Sequence, residues 1–356
     1  MGNKQAINRK YFCTVLNLHV RAKLSIGDFM RAKQTYRTDL AMEVRENLYG
    51  QTGAEIPGVE MTVEEDEFAT ITWVEITDDT GAGAMGKPVG NYITLESAIM
   101  KENDPHAHEE ITKILASKLG ELHRLPKDAS ILVIGLGNRY VTPDALGPKV
   151  CDKLLVTRHL GDVTPIELHG KLRQVSAIAP GVMGITGIET AEIVKGIADR
   201  IKPDLIIAID ALAARRTSRI NATIQISDTG INPGAGMGNK RTPINKSSMG
   251  VPIIAIGVPT VVDAATLVND TMDQMINEMA EAAPEGGPFF DMLKNMQDTD
   301  RYGLITEILE PYAGNMFVTP KEVDAVIARL AKIIADTLNI ALHPGVTRED
   351  VGRYLE

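Results

Sequence analysis

The stretch ILVIGLGNRYVTPDALGP, residues 131–148, decides the fold. Its first part, ILVIGLG (131–137), is a short apolar run without polar alternation. Such runs fit strands buried on both faces of a parallel sheet. Gly135 and Gly137 then predict a tight turn, and Asp144 stands where a helix should open. The turn is not the dinucleotide fingerprint, because Tyr140 takes the place of the third glycine and no acidic residue clearly ends the second strand. Nor is it a P-loop, since the Gly-Lys-Ser/Thr ending is missing.

Working outward, four more runs of the same kind follow: RQVSAIAP (173–180), DLIIAID (204–210), TIQIS (223–227) and PIIAIGV (252–258). Helical stretches near 144–156 and 188–200 separate the first three strands. This alternation predicts a doubly wound α/β domain with a mostly parallel sheet. Upstream, HAHEEITKILASKLGELHRL (106–125) has apolar residues at helical spacing. Before it, FATITWVEIT (68–77) and NYITLE (91–96) read as strands, and the Gly-rich DDTGAGAMGKPVG (78–90) reads as a mobile loop between them. A small β-rich insertion near the front is therefore expected. VTPKEVDAVIARLAKIIADTLNIAL (318–342) closes the chain as an amphipathic helix, with Thr319 as N-cap, Pro320 at its first position and Glu322 completing a capping box. The expected division is residues 40–104 as a β-rich portion and 105–356 as the α/β core.

The charge is uneven. Residues 1–38 carry eight Lys or Arg and only Asp28, a formal +7, whereas the whole chain is −10 and residues 39–356 are −17. An acidic body argues against direct nucleic-acid binding, which needs a basic face. Cys13 and Cys151 make neither a disulfide framework nor a metal cluster, which points to a reducing cytosol. No apolar run reaches the roughly 18 residues of a membrane span. The basic arm ends in RTDLAME (37–43). Its Arg-rich, acid-poor character resembles a mitochondrial transit peptide, and translation from Met30 would instead leave a short pro-segment ending at Asp39.

Two carboxylates carry the chemistry. Asp144 alone reads as an N-cap, and Asp210, ending the third run in IIAIDALAARR, alone reads as a turn carboxylate. In a flavodoxin-like strand order, 2-1-3-4-5, both project into the crevice at the topological switch point. Two carboxylates sharing a site split their pKa values, so that one activates water while the other donates a proton. Peptide hydrolysis without serine or metal follows from that equipment. Candidate substrate-binding groups are Asn138 in the first turn, Arg215 and Arg216 beyond Asp210, and Lys240 and Arg241 in the Gly-rich INPGAGMGNKRTPINKSS (231–248). His106 and His108 form an H-x-H without an evident third metal ligand, and His159, His169 and His343 have no assignable partner. No Gly-x-Ser-x-Gly elbow is present, and no cofactor is expected.

The segments RTDLAMEV, GLGNRYVTPDALGPKV, SAIAPGVMGITGIET, PDLIIAIDALAARR, ISDTGINPGAGMGNKR and MGVPIIAIGVPTVVDA closely resemble the germination proteases of spore-forming bacteria. The resemblance runs from about residue 37 to 343. It implies a cytosolic, homotetrameric endopeptidase of the spore, made as a zymogen, that degrades small acid-soluble, DNA-coating proteins during germination. It implies cleavage after an acidic residue, followed by an apolar residue, Ala and a further acidic residue. Asp39, Leu40, Ala41 and Glu43 match that pattern as a self-processing site. It also implies that Asp144 and Asp210 are catalytic and that no metal is required. The fold it implies is similar to that of the hydrogenase-maturation endopeptidases, where carboxylates at the matching positions bind metal. A metal-dependent processing peptidase, and a non-catalytic module binding spore proteins, are the alternatives.

Overall fold

The structure, a computed structural model, describes residues 38–163, 171–234, 241–282, 298–313 and 316–347. The basic arm up to residue 37, Cys13, His169 and Lys240 lie outside the described residues. In chain order the main elements are α1 (Ala41–Thr52), β1 (Val59–Glu65), β2 (Thr70–Ile76), α2 (Asp79–Met85), β3 (Gly90–Glu96), α3 (Pro105–Leu122), β4 (Ser130–Gly135) and α4 (Leu146–Cys151). There follow β5 (Gln174–Ile178), α5 (Met183–Thr186), α6 (Thr190–Ile201), β6 (Leu205–Ala214), β7 (Thr223–Ser227), α7 (Lys246–Met249) and β8 (Ile253–Asp263). The last are α8 (Ala264–Ala282), α9 (Asp298–Ala313), β9 (Phe317–Val318) and α10 (Val323–Leu342).

One sheet runs in the order β1-β2-β3-β7-β8-β6-β4-β5, with β9 added on β8. The half β5-β4-β6-β8 is parallel. Its strands are apolar on both faces, as the unalternated runs predict. Ile131, Val133, Ile207 and Ile209 point into a core that includes Ile111 and Leu115 of α3 and Leu330, Ile334 and Leu338 of α10. Leu132, Ile134, Ile206 and Ala208 point the other way, onto Val194 and Ala198 of α6. Helices on both faces of a parallel sheet are the doubly wound arrangement.

The other half is antiparallel, and β3 joins it to the core through β7. Counted from β4, the core order is 2-1-3-5-4, so it departs from the expected order at the last two strands. The cause is the short connection 215–222 between β6 and β7. A parallel return needs a crossover of about a dozen residues or more. This one reverses direction and leaves the place beside β6 to β8.

Two local expectations also change. Residues 78–90 are not a loop throughout: α2 forms there, capped by Asp78, whose side chain accepts from Gly81 N–H, and ended by Gly86 at φ 61°. Thr319 does not cap α10. The helix begins after Glu322, and the Thr319 hydroxyl donates to the Thr260 carbonyl instead, tying the helix approach to β8.

Candidate active site

Strand β4 pairs with β6 only as far as Gly135 opposite Ile209, and Leu136 N–H closes the ladder on the Ile209 carbonyl. Beyond that point one edge of β6 is open. The turn after β4 is held by close backbone packing. A Cβ on Gly135 would meet the Gly147 carbonyl oxygen at 2.2 Å, and Gly137, at φ 106°, would meet the Asp144 carbonyl oxygen at 2.0 Å. Only glycine fits either place. The packing brings Asp144, at the end of a single 3₁₀ turn (Thr142–Asp144), back over the strand. Its carboxylate accepts from Asn138 N–H at 2.7 Å, so it clamps the turn and does not cap a helix. Asn138 Oδ1 accepts from Tyr140 N–H in the same turn.

Asp210 lies on β6 just past the last β4 pairing and is buried. Its carboxylate accepts from Ala211 N–H at 2.9 Å. Burial raises its pKa well above the carboxylate range, and the charges of Asp144 and then Asp39 push it further the same way. Burial also raises the pKa of Asp144, against the pull of Asn138 N–H and Arg241. Arg241 thus sits within electrostatic reach of both carboxylates.

The segment Thr38–Glu43 fills the open edge. Asp39 N–H donates to the Ala213 carbonyl, and Asp39 Oδ2 accepts from Ala213 N–H at 2.9 Å. Leu40 and Ala41 are fully buried, in a cluster with Leu212 and Ala214 of β6 and Val74 and Tyr92 of the meander. Side chains alternate along a strand, so Asp210 shares its face with Leu212 and Ala214. The Glu43 carboxylate accepts from Arg215 N–H at 2.7 Å and Arg216 N–H at 2.9 Å, and the Thr38 hydroxyl donates to it. Arg219 meets it at 3.3 Å while bridging to Glu46 and Glu96. The guanidinium groups of Arg215 and Arg216 turn to Asp270 and Glu46, so it is their backbone that holds Glu43. Burial raises the Asp39 pKa, partly offset by Ala213 N–H and Lys87.

Three residues here escaped the sequence reading: Lys87, Arg219 and Gln225. Lys87 Nζ and Gln225 Nε2 both donate to the Asp39 carbonyl, and Gln225 Oε1 accepts from Ala41 N–H. Gln225 had left one signal, an amide side chain between two isoleucines in the buried run TIQIS. Lys87 and Arg219 left none. Away from the site, His106 packs on Phe68 at 5.6 Å, and buried His343 contacts the Leu155 carbonyl. Among the described residues no group of three or more His, Cys, Asp or Glu is arranged to hold a metal ion.

A germination protease family model matches residues 36–289 and 283–355. The germination protease of Caldanaerobacter subterraneus subsp. tengcongensis is 51% identical over 319 residues, 90% of this chain and 98% of that protein. The chain belongs to the germination protease family. Other members include the germination proteases of Clostridium tetani, 48% identical over 90% of this chain and 99% of that protein, and of Priestia megaterium, 42% identical over 91% and 98%. A solved nickel–iron hydrogenase maturation protease, HycI of Thermococcus kodakarensis, matches at 18% identity over 59% of this chain and 92% of its own, with a TM-score of 0.28. Membership of the germination protease family makes proteolysis the activity of this chain.

Proposed function

We propose that the chain is an aspartic-type endopeptidase that begins the degradation of small acid-soluble, DNA-coating spore proteins during germination. It is made as a zymogen and cuts itself between Asp39 and Leu40. In this reading residues 1–39 are the pro-segment, residues 40–104 the β-rich portion and residues 105–356 the catalytic core. The enzyme works as a homotetramer in the spore cytoplasm, without a metal. Exposed Met275, Met279, Leu304 and Ile308 on α8 and α9 supply an apolar face that a partner copy would cover.

The observation that carries the reading is the seating of Thr38–Glu43. A substrate-like stretch lies on the open edge of β6, both acidic side chains are held by backbone N–H groups, and the Asp39 charge acts on Asp210. An acidic-apolar-Ala-x-acidic peptide would be read by the same groups. In the reaction one carboxylate takes a proton from water as its oxygen attacks the Asp39 carbonyl carbon. The bond to Leu40 nitrogen then breaks, and the other carboxylic acid gives its proton to that nitrogen. Burial and the neighbouring Asp144 charge favour keeping the shared proton on Asp210, which makes Asp210 the acid and Asp144 the base. The pair titrates as a unit.

The test is mass mapping of the N-terminus after incubation of the full chain, beside Asp144→Asn and Asp210→Asn, with and without a chelator. A new terminus at Leu40 in the wild type alone, indifferent to chelator, is the expected result. Full processing in either variant would sink the dyad, and loss of activity with chelator, rescued by a divalent metal, would make the enzyme a metallopeptidase.

A further inference from the structure

The carbonyl of the processed bond is held in an unusual way. Lys87 Nζ donates to the Asp39 carbonyl oxygen at 2.8 Å, and Gln225 Nε2 donates to the same oxygen at 3.3 Å. The other end of the Gln225 amide accepts from Ala41 N–H at 2.7 Å, so one side chain fixes the peptide groups on both sides of Leu40. Two side-chain donors therefore converge on one oxygen, and one of them is a cation withdrawn from water. Burial lowers the Lys87 pKa, opposed by the charges of Asp39 and Glu43, the carboxylates that face it. Burying an ammonium group is costly without compensation. A neutral carbonyl repays it weakly, whereas a carbonyl oxygen that becomes negative repays it well.

The local fold aims both groups. Helix α2 stops at Gly86, whose left-handed φ of 61° turns the chain, and Lys87 is the next residue. Gln225 sits on β7, opposite Thr94 of β3 and Gly257 of β8. Neither depends on the Asp144 turn.

We infer that Lys87 and Gln225 form the oxyanion pocket of this protease, stabilising the negative oxygen at Asp39 during self-processing and at the residue before the cut in an external substrate. The inference rests on the reading of Asp39–Leu40 as the processed bond. Lys87 stays protonated throughout. It donates to the oxygen as water adds to the carbonyl carbon, and it still donates when the bond to Leu40 nitrogen breaks, leaving the Asp39 carboxylic acid and a free Leu40 amine.

The experiment follows formation of the Leu40 terminus by mass spectrometry in the full-length wild type, Lys87→Met, Lys87→Arg and Gln225→Leu, across pH. Lys87→Met should slow processing on the order of 10²- to 10³-fold, the loss typical of removing one oxyanion donor. Lys87→Arg should keep most of the rate. Asp210, as the acid of the dyad, sets an alkaline limb common to all variants, so the rates are compared on the plateau below that limb. Gln225→Leu, which removes the second donor to the Asp39 carbonyl, should also slow processing and tests the inference even if Lys87→Met fails to fold. A Leu40 terminus formed at the wild-type rate in folded Lys87→Met or folded Gln225→Leu would overturn the oxyanion pocket alone. A new terminus elsewhere than Leu40, or an intact chain throughout, would overturn the processing reading and this inference with it.

Discussion

The two halves of β6 do different work with one continuous backbone. Residues Ile206–Ile209 are paired on both edges, with β4 and with β8, and are apolar on both faces. Residues Asp210–Ala214 keep β8 but lose β4, and the ladder with β8 shifts between Leu212 and Ala213. The first half leaves no backbone group free for a ligand. The second half leaves an edge whose N–H and C=O groups hold Asp39, and just past it Arg215 and Arg216 hold Glu43. A strand edge left by a shorter neighbour is thus a binding surface made by chain length alone. The depth of burial is similar in both halves. What differs is whether a neighbouring strand has already taken the hydrogen bonds.

The largest expected effect on stability comes from cutting the tie beyond the second half. Arg219→Ala strands the buried Glu43 carboxylate and frees Glu46 and Glu96, and should cost about 3–5 kcal/mol, read by urea unfolding. A cost below about 1 kcal/mol would mean that the backbone donors alone hold Glu43. In the first half, Ile207→Ala opens a cavity in the fully buried core and should cost about 2–5 kcal/mol, while the processing rate per folded molecule stays unchanged. A change in that rate would show the halves to be coupled.

A pH comparison sharpens the contrast further. Asp210 is protonated in both the folded and unfolded chain below its unperturbed value of 3.8. As pH rises above 3.8, the unfolded carboxyl loses its proton first, so the Asp210 contribution to stability declines until the folded carboxyl also ionises. Asp39 and Asp144, also raised, act in the same direction. Asp210→Asn should therefore gain stability relative to the wild type as pH rises above 3.8, the gain widening until the folded carboxyl ionises, while losing processing. A gap independent of pH would mean that folding does not raise the Asp210 pKa. The smallest effect is at the far end of β8. Thr319→Ala removes the hydroxyl donated to Thr260 and should cost about 0.5–1.5 kcal/mol without altering processing.

The sequence by itself determined the parallel core, with Asp144 in the turn that follows its first strand and Asp210 on its third. Unalternated apolar runs report burial on both faces, and glycines such as Gly135 and Gly137 report backbone contacts that tolerate no side chain. Both signals are local, so they survive in one dimension. Helix α2 was less legible, because its Gly- and Ala-rich sequence carries no apolar stripe and folds around the Asp78 cap. The 2-1-3-5-4 order depended on what a short connection could reach. Lys87, Gln225 and Arg219 were decided only by the tertiary structure. Each acts on a residue far away in the chain, at Asp39, Ala41 or Glu43, through a hydrogen bond whose two ends share no sequence pattern. Such contacts exist only once the sheet has brought β3, β7 and the end of β6 together around one segment.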